Sequence, residues 1–310
     1  MTDGASAAGD ELDATLALRD LLSEVTTRFA AAAIDGAERE ARWIVEEASG
    51  HEGPEFALSL DRPATEREVV RIDAMTARRV AGEPLQYVLG RWAFRHLDLA
   101  VDSRVLIPRP ETEVTAEVAI DAARRIAEPI VVDLGTGSGA IGLSVAWECR
   151  HAHVWATDRS SEALEVARAN LAGLGRAGAR VRLAAGDWFG ALPDDLVGRV
   201  DVAVSNPPYV RLDDPLPPAV ERWEPAAALR SGADGLDDIR SIIAAAPRWM
   251  SSGGAIVLEA DPRQMSAIGD LLVRAGFVDP QVRPDLAGRE RVVTAQWGLL
   301  PPAQRGPHPR

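Results

Sequence analysis

The chain has 310 residues with 47 acidic side chains against 34 basic ones, a net charge of −13, and every basic residue is Arg. That balance counts against a protein that wraps nucleic acid, because phosphate contacts need a basic face. The single cysteine, Cys149, excludes an internal disulfide or a cysteine metal cluster. No apolar run reaches membrane-spanning length and the first 13 residues are polar and acidic, so a cytoplasmic protein without signal peptide or membrane partner is expected.

Residues 1–13 are expected to be disordered. Helical periodicity then begins, with Leu18, Leu21, Leu22, Val25 and Phe29 on one face. A second helix carries Ala37, Ala41, Ile44, Val45 and Ala48, and Gly50 is a natural stop. After a short helical turn at 54–59, Thr65 and Glu68 form a capping box that opens a long helix to about Val80. Residues 14–84 therefore read as a small helical domain. Within residues 1–80, 9 Arg face 17 Asp and Glu, a net −8. Lacking any catalytic constellation, such a domain is either packing support or a surface that docks the substrate.

Gly82-Glu83-Pro84 breaks the helix, and Trp92/Phe94 and Leu97/Leu99/Val101 alternate as strands do, so 85–106 reads as a linking β-hairpin. Pro108-Arg109-Pro110 makes a rigid approach to a helix with Val114, Val118, Ala122 and Ile126 on one side. Glu111 and Glu113 are expected to cap and position that helix. From residue 130 strand and helix signals alternate. Strands are expected at 130–134, 153–157, 181–184, 200–205 and 255–259, with helices at 139–149, 160–172, 239–250 and 262–275. Two closing strands, 277–282 and 291–297, have no helix between them. The fold class is α/β: a doubly wound, Rossmann-like sheet over 107–298 with an antiparallel edge hairpin. The tail, 299–310, is expected to be disordered.

Four motifs fall at successive strand ends. Asp133-Leu134-Gly135-Thr136-Gly137-Ser138-Gly139 follows the first strand, where glycines let backbone approach a ligand and aim helix N-terminal amides at it. Alone this is a weak signal, and without Gly-Lys-Ser/Thr it is no triphosphate loop. Asp158 ends the second strand, where a carboxylate accepts ribose hydroxyls. Asp187-Trp188 follows the third and offers a carboxylate and a flat ring to an adenine. Ser205-Asn206-Pro207-Pro208-Tyr209 leaves the fourth. Neither proline donates a backbone hydrogen bond, so the turn is rigid with free carbonyls beside an amide and a ring, suited to gripping a flat hydrogen-bonding group. His151 and His153 lack a third ligand and are expected at the surface; Cys149 has no partnered histidine and is expected in the core.

The glycine turn followed by Asn206-Pro207-Pro208-Tyr209 resembles the class I S-adenosylmethionine-dependent methyltransferases that act on planar nitrogens. Gly82-Glu83-Pro84-Leu85, Ile107-Pro108-Arg109-Pro110-Glu111-Thr112-Glu113, Gly186-Asp187-Trp188-Phe189 and Glu224-Pro225 are similar to the release factor glutamine methyltransferases of HemK/PrmC type. The likeness runs from about residue 15 to 297; Leu258-Glu259-Ala260-Asp261 departs from a turn that is more Gly-rich in that family. The resemblance implies S-adenosyl-L-methionine, left as S-adenosyl-L-homocysteine, held by Gly135, Thr136, Gly137, Ser138 and Gly139, with Asp158 on the ribose, Asp187 and Trp188 at the adenine, and Asn206 nearby. It implies no metal and no direct contact with nucleic acid. The implied substrate is the glutamine N(5) of the Gly-Gly-Gln motif in class-one peptide chain release factors, gripped by Asn206, Pro207, Pro208 and Tyr209. A ribosomal-protein glutamine, or an adenine N6 of nucleic acid, are the alternative substrates.

Overall fold

The computed structural model describes residues 16–298; the disorder expected at 1–13 and from 299 onward lies outside the described residues. The chain divides into two compact units between Leu89 and Gly90. In the first, α1 (Leu18–Ala31), α2 (Ala37–Ser49), α3 (Gly53–Ser59), α4 (Glu66–Val80) and α5 (Leu85–Leu89) bury a shared core. Leu18, Leu21, Val25 and Phe29 of α1 meet Ala41, Ile44 and Val45 of α2 and Ile72 and Met75 of α4 there, so the apolar face of each helix is its buried face. Gly50 ends α2 with φ +72°, a left-handed stop that a side chain resists. Thr65 and Glu68 cap α4 reciprocally, and Arg62 pairs with the same glutamate. Residues 85–89, expected within the hairpin, form α5 instead, because Leu85 and Val88 pack into this helical core.

The second unit opens with a two-stranded hairpin, β1 (Arg91–Phe94) and β2 (Leu97–Ala100). It continues through α6 (Thr112–Ala123), β3 (Ile130–Leu134), α7 (Ala140–Glu148), β4 (His153–Asp158), α8 (Ser161–Gly173), β5 (Val181–Ala185), β6 (Val200–Ser205) and α9 (Pro218–Trp223). The remaining elements are α10 (Asp237–Trp249), β7 (Met250–Glu259), α11 (Met265–Arg274), β8 (Phe277–Pro284) and β9 (Glu290–Trp297). The sheet order is β5-β4-β3-β6-β7-β9-β8. The first five strands in that order run parallel, and β9 is antiparallel to both β7 and β8. The expected edge hairpin is therefore present, with β9 inserted beside β7.

Both faces of the sheet are covered, which is why its strands read as continuous apolar runs rather than alternating ones. Val131, Val154, Val202, Val204 and Val257 pack on one face with Ala116, Ile120 and Leu143. Val132, Leu134, Ala203, Ile256 and Leu258 pack on the other with Ile239, Ile242 and Ile268. Among the described residues no helix is long and apolar enough to cross a membrane.

Register places the functional positions. Leu134 of β3 pairs with Thr157 and Ser205, and Ser205 pairs with Leu258. Gly135, Asp158, Asn206 and Glu259 are the next residues of four adjacent strands, so they share one level at the carboxyl edge, beside the point where the order reverses between β3 and β6. In such sheets this is where ligands bind.

Candidate active site

A cavity of about 320 Å³ opens at that edge, the size of a site for a nucleoside-like ligand. Gly135, Thr136, Gly137 and Ser138 form one wall; Asp158 and the Asp187-Trp188 pair form another; Asn206 and Pro208 stand at a third side. Four strand-end motifs thus converge. Gly139, Pro207 and Tyr209 do not line the cavity.

Most amides of the glycine turn itself are used within the fold. The N–H groups of Gly135 and Thr136 both donate to the Thr157 carbonyl, at 2.9 and 2.8 Å, and that of Gly139 donates to Thr136 at 2.8 Å. Gly137 N–H donates to Asp158 Oδ2 at 2.9 Å. Of these five residues, only Ser138 has an amide undonated among the described residues. The turn closes on β4 through three of its amides, while Ser138, Ala140 and Ile141, whose amides have no acceptor among the described residues, line the cavity at the start of α7.

Asp133 organises this turn from beneath. Its carboxyl is 1% exposed and accepts from Thr136 Oγ1 at 2.5 Å and from Gly142 N–H at 2.9 Å. Burial pushes that carboxyl up to about 6, against the pull of both donors. Gly135 has φ +72°, and a Cβ there would meet Trp188 Cζ3 at 3.0 Å, so the indole lies directly over the glycine. Trp188 itself sits at φ +47°, a strained backbone for a bulky residue, kept at a ligand wall. Asp187 is exposed beside it.

Asp158 Oδ1 accepts from Ser160 N–H at 2.9 Å while its Oδ2 holds Gly137. Both bonds come from backbone and fix the carboxylate, leaving lone pairs for a ligand. Asn170, buried on α8, ties the turn to the hairpin: its Nδ2 donates to the carbonyls of Ser138 and Ala100, and its Oδ1 accepts from Ala100 N–H.

Glu224 joins two segments more than a hundred residues apart. Its side chain is 1% exposed, and it accepts from Ile107 N–H at 3.2 Å and Arg109 Nη2 at 2.5 Å. Pro108 and Arg109 line the cavity, so this ion pair sets the position of its wall.

Asn206 Nδ2 donates to Thr112 Oγ1 at 3.1 Å. Neither Asn206 Oδ1 nor the Pro207 carbonyl has a donor among the described residues. Tyr209 packs its ring into the sheet core, and burial raises its phenol above the ordinary range. Its carbonyl accepts from Gln264 Nε2 at 3.0 Å, and Gly235 passes so close that a Cβ would lie 2.2 Å from that carbonyl. The turn after β6 is thus held from both ends.

Glu111 makes no side-chain cap on α6. Glu113 Oε1 accepts from Arg95 N–H at 3.0 Å, binding helix to hairpin rather than capping it. His151 and His153 are exposed, and Cys149 is buried with burial raising its thiol. Sequence reasoning missed four polar groups that hold the site: Asp133, Glu224, Glu259 and Thr112. A lone carboxylate ending or interrupting an apolar strand, as in Val132-Asp133 and Leu258-Glu259, was the available signal for two of them.

Two family models match: the PrmC N-terminal domain over residues 20–90 and the methyltransferase small domain over 114–222. The release factor glutamine methyltransferase of Burkholderia pseudomallei is 44% identical over 266 residues, 84% of this chain and 92% of the relative. That of Cereibacter sphaeroides is 40% identical over 281 residues, 89% of this chain and 97% of the relative. A solved structure of a release factor-specific protein-(glutamine-N5) methyltransferase from Alicyclobacillus acidocaldarius is 26% identical, with a TM-score of 0.38 over 62% of this chain and 94% of that chain. With near-full-length identity at this level, the chain belongs to the release factor glutamine methyltransferase family.

Proposed function

We propose that this methyltransferase transfers a methyl group from S-adenosyl-L-methionine to the side-chain nitrogen, N(5), of the glutamine in the Gly-Gly-Gln loop of class-one release factors. The observation that carries the reading is the Asn206-Pro207 rim. One end of the Asn206 amide is occupied by Thr112, while Oδ1 and the neighbouring Pro207 carbonyl stand without donors. A primary amide has two N–H groups to place, and here two acceptors are rigidly held. The residues also suit this methyl donor. Asp158 and Trp188, both on the cavity wall, suit a ribose and a purine. Gly135, Thr136, Gly137, Ser138, Asp158, Asp187 and Trp188 would hold it; Gly139 shapes the turn.

The bound cofactor supplies an electrophilic methyl on sulfur. An amide nitrogen is a poor nucleophile because its lone pair is delocalised into its carbonyl. Asn206 Oδ1 and the Pro207 carbonyl accept its two N–H groups and stabilise positive charge as it builds on nitrogen. Both are fixed beforehand, the condition under which such dipoles contribute most. Pro207 and Pro208 keep the turn from relaxing, and Tyr209 anchors it through the sheet core and Gln264. The departing proton needs no strong base, since alkylated nitrogen is acidic. The acidic helical unit serves, in this reading, to dock the protein substrate.

The test is mass spectrometry of a release factor incubated with this protein and S-adenosylmethionine, seeking one added methyl on the Gly-Gly-Gln peptide. Asn206→Ala should lower single-turnover rates by about 100–1,000-fold while cofactor affinity stays within a few fold. A rate within about tenfold of wild type would reduce the turn to scaffolding, and stronger methylation of DNA or of a ribosomal protein would move the substrate.

A further inference from the structure

We propose that Glu259 is a positioning residue that decides which end of the Asn206 amide faces the cavity, acting through Thr112. The inference rests on the reading of Asn206 as the acceptor for substrate. Glu259 closes β7 one residue past the Ser205–Leu258 pair, so it is the lateral neighbour of Asn206. It is fully buried and absent from the cavity wall. Its two oxygens accept from Thr112 Oγ1 at 3.2 Å and Thr115 Oγ1 at 2.7 Å, both on the first turn of α6. Thr115 is fully buried, and Thr112, 4% exposed, meets solvent only where it lines the cavity beside Asn206.

A threonine hydroxyl has one proton. Once Thr112 donates it to Glu259, the hydroxyl can only accept from its other neighbour. That neighbour is Asn206, whose Nδ2 lies 3.1 Å away. The NH₂ end is therefore drawn inward and Oδ1 is turned outward, the orientation an incoming amide N–H requires. With the amide reversed, Asn206 Oδ1 would face lone pairs on Thr112 with no proton between them. Without the acceptor at 259 the Thr112 proton is free to turn to Asn206, and both amide orientations become satisfiable. Burial pushes the Glu259 carboxyl up to about 7; the hydroxyls of Thr115 and Thr112 oppose that rise, Glu111 adds to it and Arg291 opposes it. Keeping an acid at such a site is costly, and a purely apolar contact between α6 and β7 would not orient an amide.

The test compares Thr112→Val, Thr112→Ser, Glu259→Met and the Thr112→Val/Glu259→Met double variant. Each is measured for kcat, KM and melting temperature, with the Asn206 side-chain amide followed by NMR hydrogen exchange and assigned by its loss in Asn206→Ala. We expect Thr112→Val and Glu259→Met each to lower kcat on the order of tenfold or more with KM little changed. Thr112→Ser should restore activity, Glu259→Met should have no further effect beside Thr112→Val, and Asn206 amide exchange should be slow in wild type and fast in both single variants. Losses of kcat that add in the double variant, or that follow melting temperature while Asn206 exchange stays slow, overturn the proposal. If exchange responds as expected but wild type leaves release factor unmethylated, the positioning role stands and the substrate assignment falls.

Discussion

Removing Glu224 should unseat the cavity wall, and the size of the effect follows from what it holds. Glu224→Ala deprives Ile107 N–H of its acceptor in a residue only 3% exposed, and an orphaned buried donor costs about 1–3 kcal/mol. It also strips Arg109 of its partner. Breaking a fully buried pair costs about 3–5 kcal/mol, but Arg109 is 29% exposed and water regains part of its hydration. The two effects share one side chain, so we expect about 2–4 kcal/mol in total, read as a lower urea midpoint. Glu224→Gln is the sharper variant. Glu224 uses one oxygen for Ile107 N–H and the other for Arg109 Nη2. Gln keeps the volume yet must turn its NH₂ toward one of those donors, so it should still cost about 1–2 kcal/mol. Because Pro108 and Arg109 line the cavity, calorimetric affinity for S-adenosylhomocysteine should weaken by about tenfold in both variants, roughly 1.4 kcal/mol. A Glu224→Gln protein with wild-type stability and affinity would refute the reasoning, since the donor–donor conflict would then be absent.

Asp158→Ala should weaken S-adenosylmethionine binding by about 1–3 kcal/mol by calorimetry, through lost ribose acceptors and the freed amides of Gly137 and Ser160; unchanged affinity would detach Asp158 from the cofactor. A chain starting at Gly90 should still bind cofactor but lose more efficiency on whole release factor than on a short Gly-Gly-Gln peptide, and equal losses on both would make the acidic helical unit structural only. Asp133, raised to about 6, and Glu259, raised to about 7, both favour protons in the folded state. Their stabilising contribution is complete below the unfolded carboxyl range near 4 and is lost as pH rises through 6 and 7. Unfolding free energy should therefore fall between pH 5 and pH 8, and Glu259→Met should flatten that fall; a rise over the same interval would contradict the burial of these acids as charged-state costs.

What could be read from the chain alone was whatever is local. Helix faces in the first unit, the capping box at Thr65 and the strand–helix alternation all depend on neighbours a few residues apart. The strand-end motifs could be placed because topology, not contact, brings Gly135, Asp158, Trp188 and Asn206 to one edge. The direction of the glycine-turn amides could not, since it depends on the Thr157 carbonyl of the adjacent strand and on a carboxylate 21 residues ahead. The hairpin's start slipped for the same reason: Leu85 and Val88 fit either a strand or a helix, and the core they meet decides.

The polar groups that hold the site escaped for a further reason. Glu224 and Glu259 act on segments 115 and 144 residues away, measured to Arg109 and Thr115. Their sequence surroundings do not say what these acids hold, even where, as before Glu259, an apolar run signals burial. Only their partners do, and each partner is a group that otherwise lacks an acceptor: Ile107 N–H, Arg109, Thr112 and Thr115. The burial of those donors is what gives the carboxylates their position. In the proposed mechanism the rim that meets the substrate is assembled from prolines and an asparagine that carry no charge of their own. Its precision is supplied by buried acids that do not line the cavity, Asp133 under the glycine turn, Glu224 behind Arg109 and Glu259 behind Thr112. The bonds that reach Asn206 run from β7 through Thr112 of α6, so on the proposed mechanism a substitution at Glu259, which does not line the cavity, should be felt at the substrate nitrogen.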